Sequence, residues 1–472
     1  MKLFKRILKG FVLLVLVLVV AFVVFIGPWP TYTAGFEGTG YYKTNLARID
    51  EAVRQFKISD TPGQMKAGWG VALIEAPAGV PLAGYSARQG RPSTGVHDPI
   101  YVKAVAFSDG VDTAVVVGSD MLLVPTNVAE MTREAVSKQT PLTANNILFT
   151  ASHTHDSVGA FMPGIIATIS FGKYDPAIPP ILAKAYTSAI LDAYNSMKPA
   201  KFAHGVIDAT QYIHNRTRKA GVDPALNWML IEKEGGDRCF VTRFSGHPTI
   251  LDDDNMEISA EYPGYLQSGI EKATGATAVF LGGAVGSMSP SAPDAPTDFA
   301  KLEAFGNILA QLVLQATQSP VFTDKAEVAS ISIPIELPPL QMRLFSTKWR
   351  LSPLSRFITG LHKSGWMSCV RVGDAVFVAS PGDFSGEIAA TWQDWASAKG
   401  INLWVSGFSG DYAGYISPDR YYGELLDEKG NMEYETGQLS WLGPHMEGFF
   451  TALMQRMVDV MSTTAVQPAP AQ

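Results

Sequence analysis

The sequence predicts a mixed α/β fold, with a mixed sheet core and flanking helices, behind one N-terminal transmembrane anchor. Three observations lead to this prediction. Short β-branched runs recur along the chain, each bounded by Gly, Pro, Ser or Asp, and they are typical of buried strands. Segments with helical periodicity lie between several of these runs, which favours an α/β arrangement. Finally, one unbroken apolar run lies close to the amino terminus.

Composition excludes several classes of protein. The 472 residues are 47% hydrophobic and 17% charged, which is enough apolar material for a large core. The net charge is −7 and the basic residues are mostly scattered, so nucleic acid is excluded as a partner. Two cysteines are too few for a disulfide framework or a thiolate zinc site. Any metal must therefore be held by nitrogen and oxygen ligands.

The first thirty residues form a targeting segment. Four basic residues precede the apolar run Phe11 to Ile26, and no small-x-small cleavage site follows it. We therefore expect an uncleaved signal anchor over residues 1–30. Its basic end stays in the cytoplasm, which makes the rest of the chain periplasmic or extracellular. In that compartment Cys239 and Cys369 either pair or remain two buried free thiols.

Beyond the anchor, the chain contains one long body and no internal repeat. Residues 31–66 are predicted to be a membrane-proximal linker with a short helix over Thr44 to Phe56. Residues 67–460 form the main domain. Residues 461–472 are predicted to be a disordered tail, because they are rich in Pro and Ala.

The main domain is expected to alternate strands and helices. The predicted strands are Ala114 to Val117, Ile147 to Ala151, Cys239 to Phe244, Ala278 to Leu281, Ala375 to Ala379 and Leu403 to Ser406. The predicted helices are Pro180 to Ser196, Phe299 to Ala316 and Phe384 to Ala398. Polar residues follow five of the strands closely. In open α/β sheets ligands bind at the carboxyl ends of strands, so we expect these residues to share one site.

The triplet His153-Thr154-His155 is the first candidate. It places two imidazoles on one side of an extended backbone, which suits either a metal pair or two hydrogen-bonded core histidines. His247 supplies a third imidazole. Asp383 supplies a carboxylate that is equally suited to cap the helix that follows. Tyr415 is a packing residue unless a metal depresses the pKa of its phenol.

Taken together, the motifs of the main domain resemble the neutral (neutral/alkaline, non-lysosomal) ceramidases over about residues 66–455. The matching segments occur in the family's order: Gly84-Tyr85, Gly95-Val96-His97, Ala151 to His155, Asn215-Arg216, Gly246 to Thr249, Val285 to Pro290, Pro381 to Phe384, Tyr412 to Ile416, Tyr434-Glu435 and Gly443 to His445. The resemblance implies a ceramidase-like catalytic domain that hydrolyses a lipid amide with Zn²⁺.

The resemblance also implies individual roles. The zinc ligands would be His153, His247, Asp383 and Tyr415. The groups around the scissile amide would be His155, Arg216 and Tyr434, and Ser289 matches a serine considered as a nucleophile in that family. Arg216 and Tyr434 suit an oxyanion site, and His155 suits proton transfer to the departing amine. Ser289 would need an adjacent base; otherwise it is a turn residue before Pro290.

The chain departs from the family pattern in several places. Asp383 stands where the family usually has Glu, and Ser287 stands where Asp is usual. An extra stretch over Gly423 to Glu433 separates Tyr415 from Tyr434. No C-terminal β-sandwich follows the main domain. Ceramide specificity is therefore predicted less firmly than zinc hydrolysis, and two alternatives stay open: a zinc amidase or esterase for another substrate, or a catalytically impaired, membrane-tethered lipid-binding protein.

One segment suggests contact with a membrane surface. Leu337 to Gly373 contains no acidic residue and carries Arg343, Lys348, Arg350, Arg356, Lys363 and Arg371 among aromatic and aliphatic side chains. It resembles an interfacial amphipathic stretch that rests on anionic lipid. The alternative is a surface excursion whose aromatic side chains pack on the body. The oligomeric state is left open.

Overall fold

Two β-sheets packed face to face form the centre of the computed structural model, which describes residues 2–55, 62–343, 346–359, 364–427 and 430–462. Apolar side chains of both sheets fill the space between them, for example Phe107 and Val241 from one sheet and Phe377 and Trp404 from the other. Helices cover the outer faces. Because both faces of each sheet are covered, the strands are mostly continuous apolar runs.

The larger sheet has eight strands within the described ranges. In chain order they are β1 (Lys66–Leu73), β2 (Tyr101–Ser108), β3 (Thr113–Ser119), β4 (Ile147–Phe149), β5 (Lys198–Asp208), β6 (Ala225–Lys233), β7 (Arg238–Phe244) and β8 (Thr277–Gly282). Their spatial order is β8-β7-β6-β5-β1-β2-β3-β4. Neighbours are antiparallel except for the parallel pairs β3/β4 and β7/β8.

The smaller sheet has four strands among the described residues. They are β9 (Val328–Glu336), β10 (Ser364–Val372), β11 (Ala375–Ala379) and β12 (Asn402–Ser406), and this is also their spatial order. Only β11 and β12 run parallel. Hydrogen bonds bring together the loops after β4, β7, β8, β11 and β12. The Gly283 N–H donates to Phe244 O and the Gly286 N–H to Phe384 O, and the Thr150 hydroxyl donates to Gly407 O.

Ten α-helices lie within the described part of the chain. They are α1 (Lys2–Phe25), α2 (Gly40–Gln55), α3 (Thr126–Ser137), α4 (Ile165–Phe171), α5 (Ile178–Asn195), α6 (Glu261–Thr274), α7 (Asp298–Ala316), α8 (Arg356–Thr359), α9 (Gly386–Ser397) and α10 (Met446–Ser462). Helices α3 and α5 cover one end of the larger sheet, and α6 and α7 cover the other. Helices α2, α9 and α10 cover the smaller sheet.

Short ladders join distant loops. They pair Trp29–Pro30 with Trp349–Arg350, Gly63–Gln64 with Lys325–Ala326, Gly95–Val96 with Glu257–Ile258, Ile213–Asn215 with Met288–Pro290, and Asp383–Phe384 with Tyr415–Ile416. A single π-helical turn spans Tyr434–Gln438. Several of these ladders carry residues that the sequence singled out. Each ladder therefore holds together residues that are far apart in the chain.

The predicted strands and helices of the main domain are confirmed to within a few residues at their ends. The helix expected over Thr44 to Phe56 begins earlier, at Gly40, and Phe56 lies outside the described residues. Its side chains Ile49 and Ala52 are buried against the smaller sheet. The tail over 463–472 also lies outside the described residues.

The two cysteines do not form a disulfide. Cys239 and Cys369 are both free and buried, Cys239 in the core between the sheets and Cys369 on the face of the smaller sheet that the helices cover. The pairing alternative is wrong, because Cys239 lies in β7 and Cys369 in β10, on opposite sheets. Burial raises the pKa of both thiols. They therefore behave as small apolar side chains.

The basic segment does not form one continuous amphipathic stretch. Arg343 and Arg350 are buried and donate to backbone carbonyls, including Tyr422 O and Pro30 O. Arg371 lies in β10 and donates to Met461 O. Three of the six cations therefore hold loops together rather than face a membrane. Lys363 and Phe345 lie outside the described residues, whereas Lys348, Trp349 and Phe357 are exposed.

Candidate functional site

Three imidazoles meet at the edge where the parallel strands end. His153 and His155 follow β4, and His247 follows β7. One ring nitrogen from each lies within 4.8 Å of the others. The shortest separation, 3.0 Å, is between Nε2 of His155 and Nε2 of His247. The sequence placed these residues at strand ends, and the structure brings them into one cluster.

His153 is held rigidly. Its φ of 69° lies in the left-handed region, which non-glycine residues rarely adopt, and such strain is concentrated at functional sites. Its ring stacks on Phe408 with centroids 4.0 Å apart. Nδ1 lies 2.6 Å from the carbonyl oxygen of Leu122, which only an N–H can satisfy. Nε2 therefore carries a lone pair that points into the cluster. Burial lowers the pKa of His153 to about 3, so the ring is neutral.

His247 has two arrangements open to it. Its Nδ1 lies 3.1 Å from the carbonyl oxygen of Val285 and 2.7 Å from a terminal nitrogen of Arg216. If Nδ1 is protonated, it donates to Val285 and leaves a lone pair on Nε2. If Nδ1 is bare, it accepts from Arg216, and Nε2 donates to His155. A metal at Nε2 requires the first arrangement, as is usual when a carbonyl accepts from the remote nitrogen of a ligand.

The ring of His155 packs closely against the backbone of Gly84. Gly84 has a φ of +121°, and a Cβ added there would lie 2.6 Å from the His155 ring. Tyr85 packs on the other part of the ring, with centroids 4.5 Å apart. Nδ1 of His155 is buried and has no hydrogen-bond partner among the described residues. Burial lowers its pKa well below the ordinary value, so this ring is also neutral.

A buried ion pair behind His155 was not predicted from the sequence. Arg88 donates to the His155 carbonyl and binds Asp156 at 2.6 Å, and both charged side chains are almost completely buried. Asn255 donates to the same carboxylate at 2.8 Å. These contacts fix the backbone that carries His155. The only local signal was the acid directly after the histidine, because Arg88 comes from a loop 67 residues earlier.

Asp383 is not a helix cap. The residue at the N-cap of α9 is Ser385, and Asp383 lies in the two-residue ladder in register with Tyr415. The N-cap alternative is therefore wrong. Both carboxylate oxygens are buried and accept no hydrogen bond of good geometry within the described ranges. One of them lies 3.7 Å from Nε2 of His153. Burial raises the pKa of Asp383 to about 7, although Arg216 and the Tyr415 hydroxyl lower it.

Arg216, Tyr415 and Tyr434 form a second group beside the histidines. A terminal nitrogen of Arg216 donates to the Tyr415 hydroxyl at 3.3 Å and to Gly286 O at 3.0 Å. Tyr434 donates to the same Gly286 carbonyl at 3.2 Å, and the guanidinium lies 4.9 Å from the Tyr434 ring centre. Burial lowers the pKa of Arg216, but the two tyrosines and Asp383 outweigh it and raise the value. The guanidinium therefore stays charged.

The two serines of the Val285 to Pro290 motif have different surroundings. Ser289 lies in the ladder opposite His214, so the turn alternative is wrong; the turn is at Gly286 and Ser287. No side-chain hydrogen bond joins Ser289 to an imidazole in the described part of the chain. Ser287 bonds the Ser385 hydroxyl at 2.8 Å and accepts from the Gly386 N–H at 3.1 Å. Its role in this structure is therefore to cap α9.

An apolar cavity opens onto the site. His153 and His155 lie in its wall. The rest of the lining is largely aliphatic and aromatic, and includes Leu122, Met162, Phe171 and Trp441. A hydrocarbon chain fits such a lining better than a polar one does. Besides the two histidines, the lining includes the polar residues Ser170, Thr359 and Asp411.

The donor set fits a divalent metal such as zinc. Three neutral imidazoles face one another, and the remote nitrogens of His153 and His247 lie against carbonyl oxygens. The neighbouring carboxylate of Asp383 accepts no well-formed hydrogen bond from the described residues. An unpaired buried carboxylate is costly, and a cation would relieve that cost. Nitrogen and oxygen ligands are those of catalytic zinc sites.

Comparison with known proteins confirms the resemblance that the sequence predicts. Residues 66–294 match the family model described as neutral/alkaline non-lysosomal ceramidase, N-terminal. The crystal structure of neutral ceramidase from Pseudomonas aeruginosa superimposes with a TM-score of 0.72 at 19% identity, over 87% of this chain and 77% of that chain. A ceramidase complexed with C2 gives a TM-score of 0.72 at 17% identity, over 87% and 78%. No curated protein sequence matches the chain. The mixed α/β fold is therefore shared with neutral ceramidase structures.

Proposed function

We propose, from the family match and the geometry of the histidine cluster, that this chain is a zinc-dependent amidohydrolase. Its substrate would be the N-acyl amide bond of ceramide or a related lipid, and its products a fatty acid and a sphingoid base. One observation carries the proposal. Three neutral imidazoles converge beside an apolar cavity, and two of them, His153 and His155, lie in its wall. The buried carboxylate of Asp383, which accepts no well-formed hydrogen bond from the described residues, lies next to His153.

The proposed ligands of the metal are His153, His247, Asp383 and the phenol of Tyr415. Zinc in such a site lowers the pKa of water to about 7 and polarises a carbonyl oxygen. The protein holds these ligands before metal arrives, because carbonyl oxygens orient two of the rings. The ladder between Asp383 and Tyr415 keeps the two oxygen donors side by side.

Arg216 and Tyr434 are proposed to stabilise the negative charge that develops on the amide oxygen. Arg216 is buried, charged and already oriented by Gly286, so it needs little reorganisation during the reaction. Tyr434 can turn its hydroxyl from the Gly286 carbonyl towards the substrate oxygen. Preorganised donors of this kind typically contribute about 100- to 1,000-fold to turnover.

His155 is proposed to carry the proton to the departing amine. It is neutral, it lines the cavity, and its Nδ1 has no partner among the described residues. A neutral imidazole can accept a proton during attack and release it to the leaving nitrogen. Arg88 and Asp156 act as positioning residues, because they hold the backbone of His155.

The proposed location is the outer face of a membrane. Helix α1 is long and apolar enough to cross a bilayer, and such a helix is also compatible with a signal sequence. We propose that it stays as an anchor over residues 1–30, with residues 31–66 as the membrane-proximal segment and residues 67–460 as the periplasmic or extracellular catalytic domain.

Metal analysis and fatty acid release test the proposed function. The full chain, purified in detergent with zinc present, is expected to hold one zinc and to release fatty acid from ceramide. His153→Ala should lose both, because it removes a proposed ligand. His204→Ala is the matched control, since this histidine pairs with the exposed Asp374 outside the cluster.

Each outcome separates the alternatives. Zinc without ceramide turnover, but with hydrolysis of other N-acyl amides or esters, would indicate a different substrate. Zinc without any turnover would indicate a lipid-binding protein. Absence of bound metal in the zinc-loaded full chain would contradict both enzyme hypotheses.

The same measurements on His155→Ala test the division of roles within the cluster. If His155 carries a proton, this variant keeps its zinc and loses turnover. If His155 is instead the third imidazole ligand, zinc is lost together with turnover.

A further inference from the structure

The end of the anchor helix is bonded directly to the catalytic domain. Ser352 donates from its N–H to Ile26 O at 2.8 Å and from its hydroxyl to Val24 O at 2.6 Å. Val24 lies in the last turn of α1 and Ile26 follows its last residue, where backbone carbonyls have no partner within the helix. The strand Trp29–Pro30 then pairs with Trp349–Arg350. The domain is therefore held against the helix end at a fixed orientation.

This attachment fixes the height of the domain above the bilayer. A helix of 24 residues is roughly 36 Å long, slightly more than the roughly 30 Å hydrocarbon core of a membrane. Its last turn therefore reaches the headgroup region. Trp349 is in register with Pro30, four residues after Ile26, and 47% of its surface is exposed. It lies at the level where tryptophan is enriched in membrane proteins.

From this point the chain continues to the mouth of the active-site cavity. Helix α8 begins four residues after Ser352, and its last residue, Thr359, lines the cavity. Helix α4 contacts α8 and lines the same cavity through Ile166 and Phe171, among others. The two short helices therefore form the side of the opening that is nearest to the anchor.

Both helices expose large apolar side chains away from the cavity. Helix α4 buries Ala167 and Phe171 and exposes Ile165 and Ile169 at 55% and 52% of their surface. Phe357 of α8 is 73% exposed. Single exposed apolar residues are ordinary on protein surfaces. Three of them on two touching helices, beside a cavity and a membrane helix, form a surface suited to lipid.

We propose that Ile165, Ile169, Trp349 and Phe357 form a rim that inserts into the leaflet from which the anchor emerges. Lys348 is exposed next to Trp349 and would lie among the phosphates of the headgroups. The rim places the cavity opening at the lipid surface. A hydrocarbon chain would then move from the leaflet into the cavity without crossing water; this second half of the proposal rests on the proposed lipid substrate.

Depth-dependent quenching tests the insertion of the rim. Single cysteines replace Ile169 and Phe357 in the full chain and carry an environment-sensitive fluorophore, and Val321→Cys, on an equally apolar but 91% exposed residue, is the control. The native cysteines are buried and do not compete for the label. The chain is placed in phosphatidylcholine nanodiscs with a doxyl quencher near the headgroup. We expect emission to fall about twofold or more at 169 and 357 and to stay unchanged at 321.

The result decides the proposal even if the chain hydrolyses no amide. Equal quenching at all three positions, or none at 169 and 357, would overturn the docking of the rim. Quenching at only one of the two helices would overturn the claim that both insert. Circular dichroism of each labelled chain excludes misfolding as the cause.

A second experiment tests entry from the leaflet. The double variant Ile169→Ser with Phe357→Ser is compared with Val111→Ser with Val321→Ser, both as full chains. Turnover of long-chain ceramide in vesicles should fall about tenfold in the rim variant only. Turnover of water-dispersed N-acetylsphingosine should not change. Equal losses on the two substrates would overturn the entry route, and absence of turnover in the unmodified chain would refute the proposed function instead.

Discussion

The nitrogen groups and the oxygen groups of the site are held in different ways. We call the three imidazoles the nitrogen half, and Asp383 with Tyr415 the oxygen half. His153 and His247 come from loops of the larger sheet, and the Nδ1 atom of each lies against a backbone carbonyl oxygen. Asp383 and Tyr415 come from loops of the smaller sheet, where the carboxylate accepts no well-formed hydrogen bond within the described ranges. The rings of His153 and His247 therefore have hydrogen-bond partners without a cation. The carboxylate of Asp383 has no well-formed partner among the described residues.

This difference indicates that the two halves make different contributions to metal binding: the imidazoles fix the position of the metal, and the carboxylate supplies negative charge. Oriented imidazoles fix the position of a metal at little cost in folding free energy, because neutral rings tolerate burial. A buried carboxylate supplies the charge, and it is destabilised until a cation compensates it. The two sheets must therefore be held together precisely for the site to form. The following predictions test that division, starting with the largest expected effect.

Removing the charge of Asp383 should break the oxygen half. Asp383→Asn keeps the shape of the side chain, and we expect zinc affinity to fall more than about 100-fold and ceramide hydrolysis about 1,000-fold. Asp383→Glu should raise zinc affinity if the residue contacts the metal. Competition with a chromophoric chelator measures both changes, and Asp374→Asn is the control. Wild-type zinc affinity in the Asn variant would show that the histidines suffice.

The junction between the sheets depends on a buried arginine. Arg243 of β7 donates to Val405 O of β12 at 2.7 Å and pairs with Asp223 at 2.5 Å, with both side chains fully buried. Arg243→Met leaves the carboxylate without its charged partner, and we expect a loss of about 3–5 kcal/mol in the free energy of unfolding.

The matched control lies on the same strand. Arg238 pairs with Glu232 at the surface, and Arg238→Met should cost no more than about 1 kcal/mol. Urea denaturation followed by circular dichroism measures both variants. Equal losses in the two variants would contradict the role assigned to the buried pair.

Turnover is expected to depend on the close packing of Gly84 against the ring of His155. Gly84→Ala introduces a Cβ into the ring and forces His155 to move, so turnover should fall about 10- to 100-fold. Gly110→Ala is the control, because Gly110 also has a positive φ but has no atom within 4 Å of an added Cβ. Similar turnover in both alanine variants would show that the position of His155 is unimportant.

Ser289 should have the smallest effect. In the described part of the chain its hydroxyl makes no hydrogen bond to an imidazole, since the ring of His214 opposite it bonds the Ser291 hydroxyl, so no base is placed to activate it. We expect Ser289→Ala to keep kcat within about twofold of the unmodified chain, in line with other surface substitutions. A loss of several orders of magnitude, together with a covalent acyl intermediate trapped on the unmodified chain, would establish the serine as the nucleophile.

The sequence alone predicted the features that depend on local order. Strands such as Ala375 to Ala379 and helices such as Phe299 to Ala316 follow from apolar periodicity and the Gly, Pro or Asp residues that bound them. The order of the motifs identified the family resemblance. The placement of chemical groups after strands also indicated one shared site.

Tertiary structure decided the features that depend on partners distant in the chain. The N-cap of α9 is Ser385, and Asp383 lies instead in the short ladder, in register with Tyr415. Cys239 and Cys369 remain unpaired because they belong to opposite sheets. The contact between His155 and His247 spans 92 residues, and the one between Ser352 and Val24 spans 328. Such contacts leave no periodic trace in the sequence, since each depends on how two sheets and an anchor pack together.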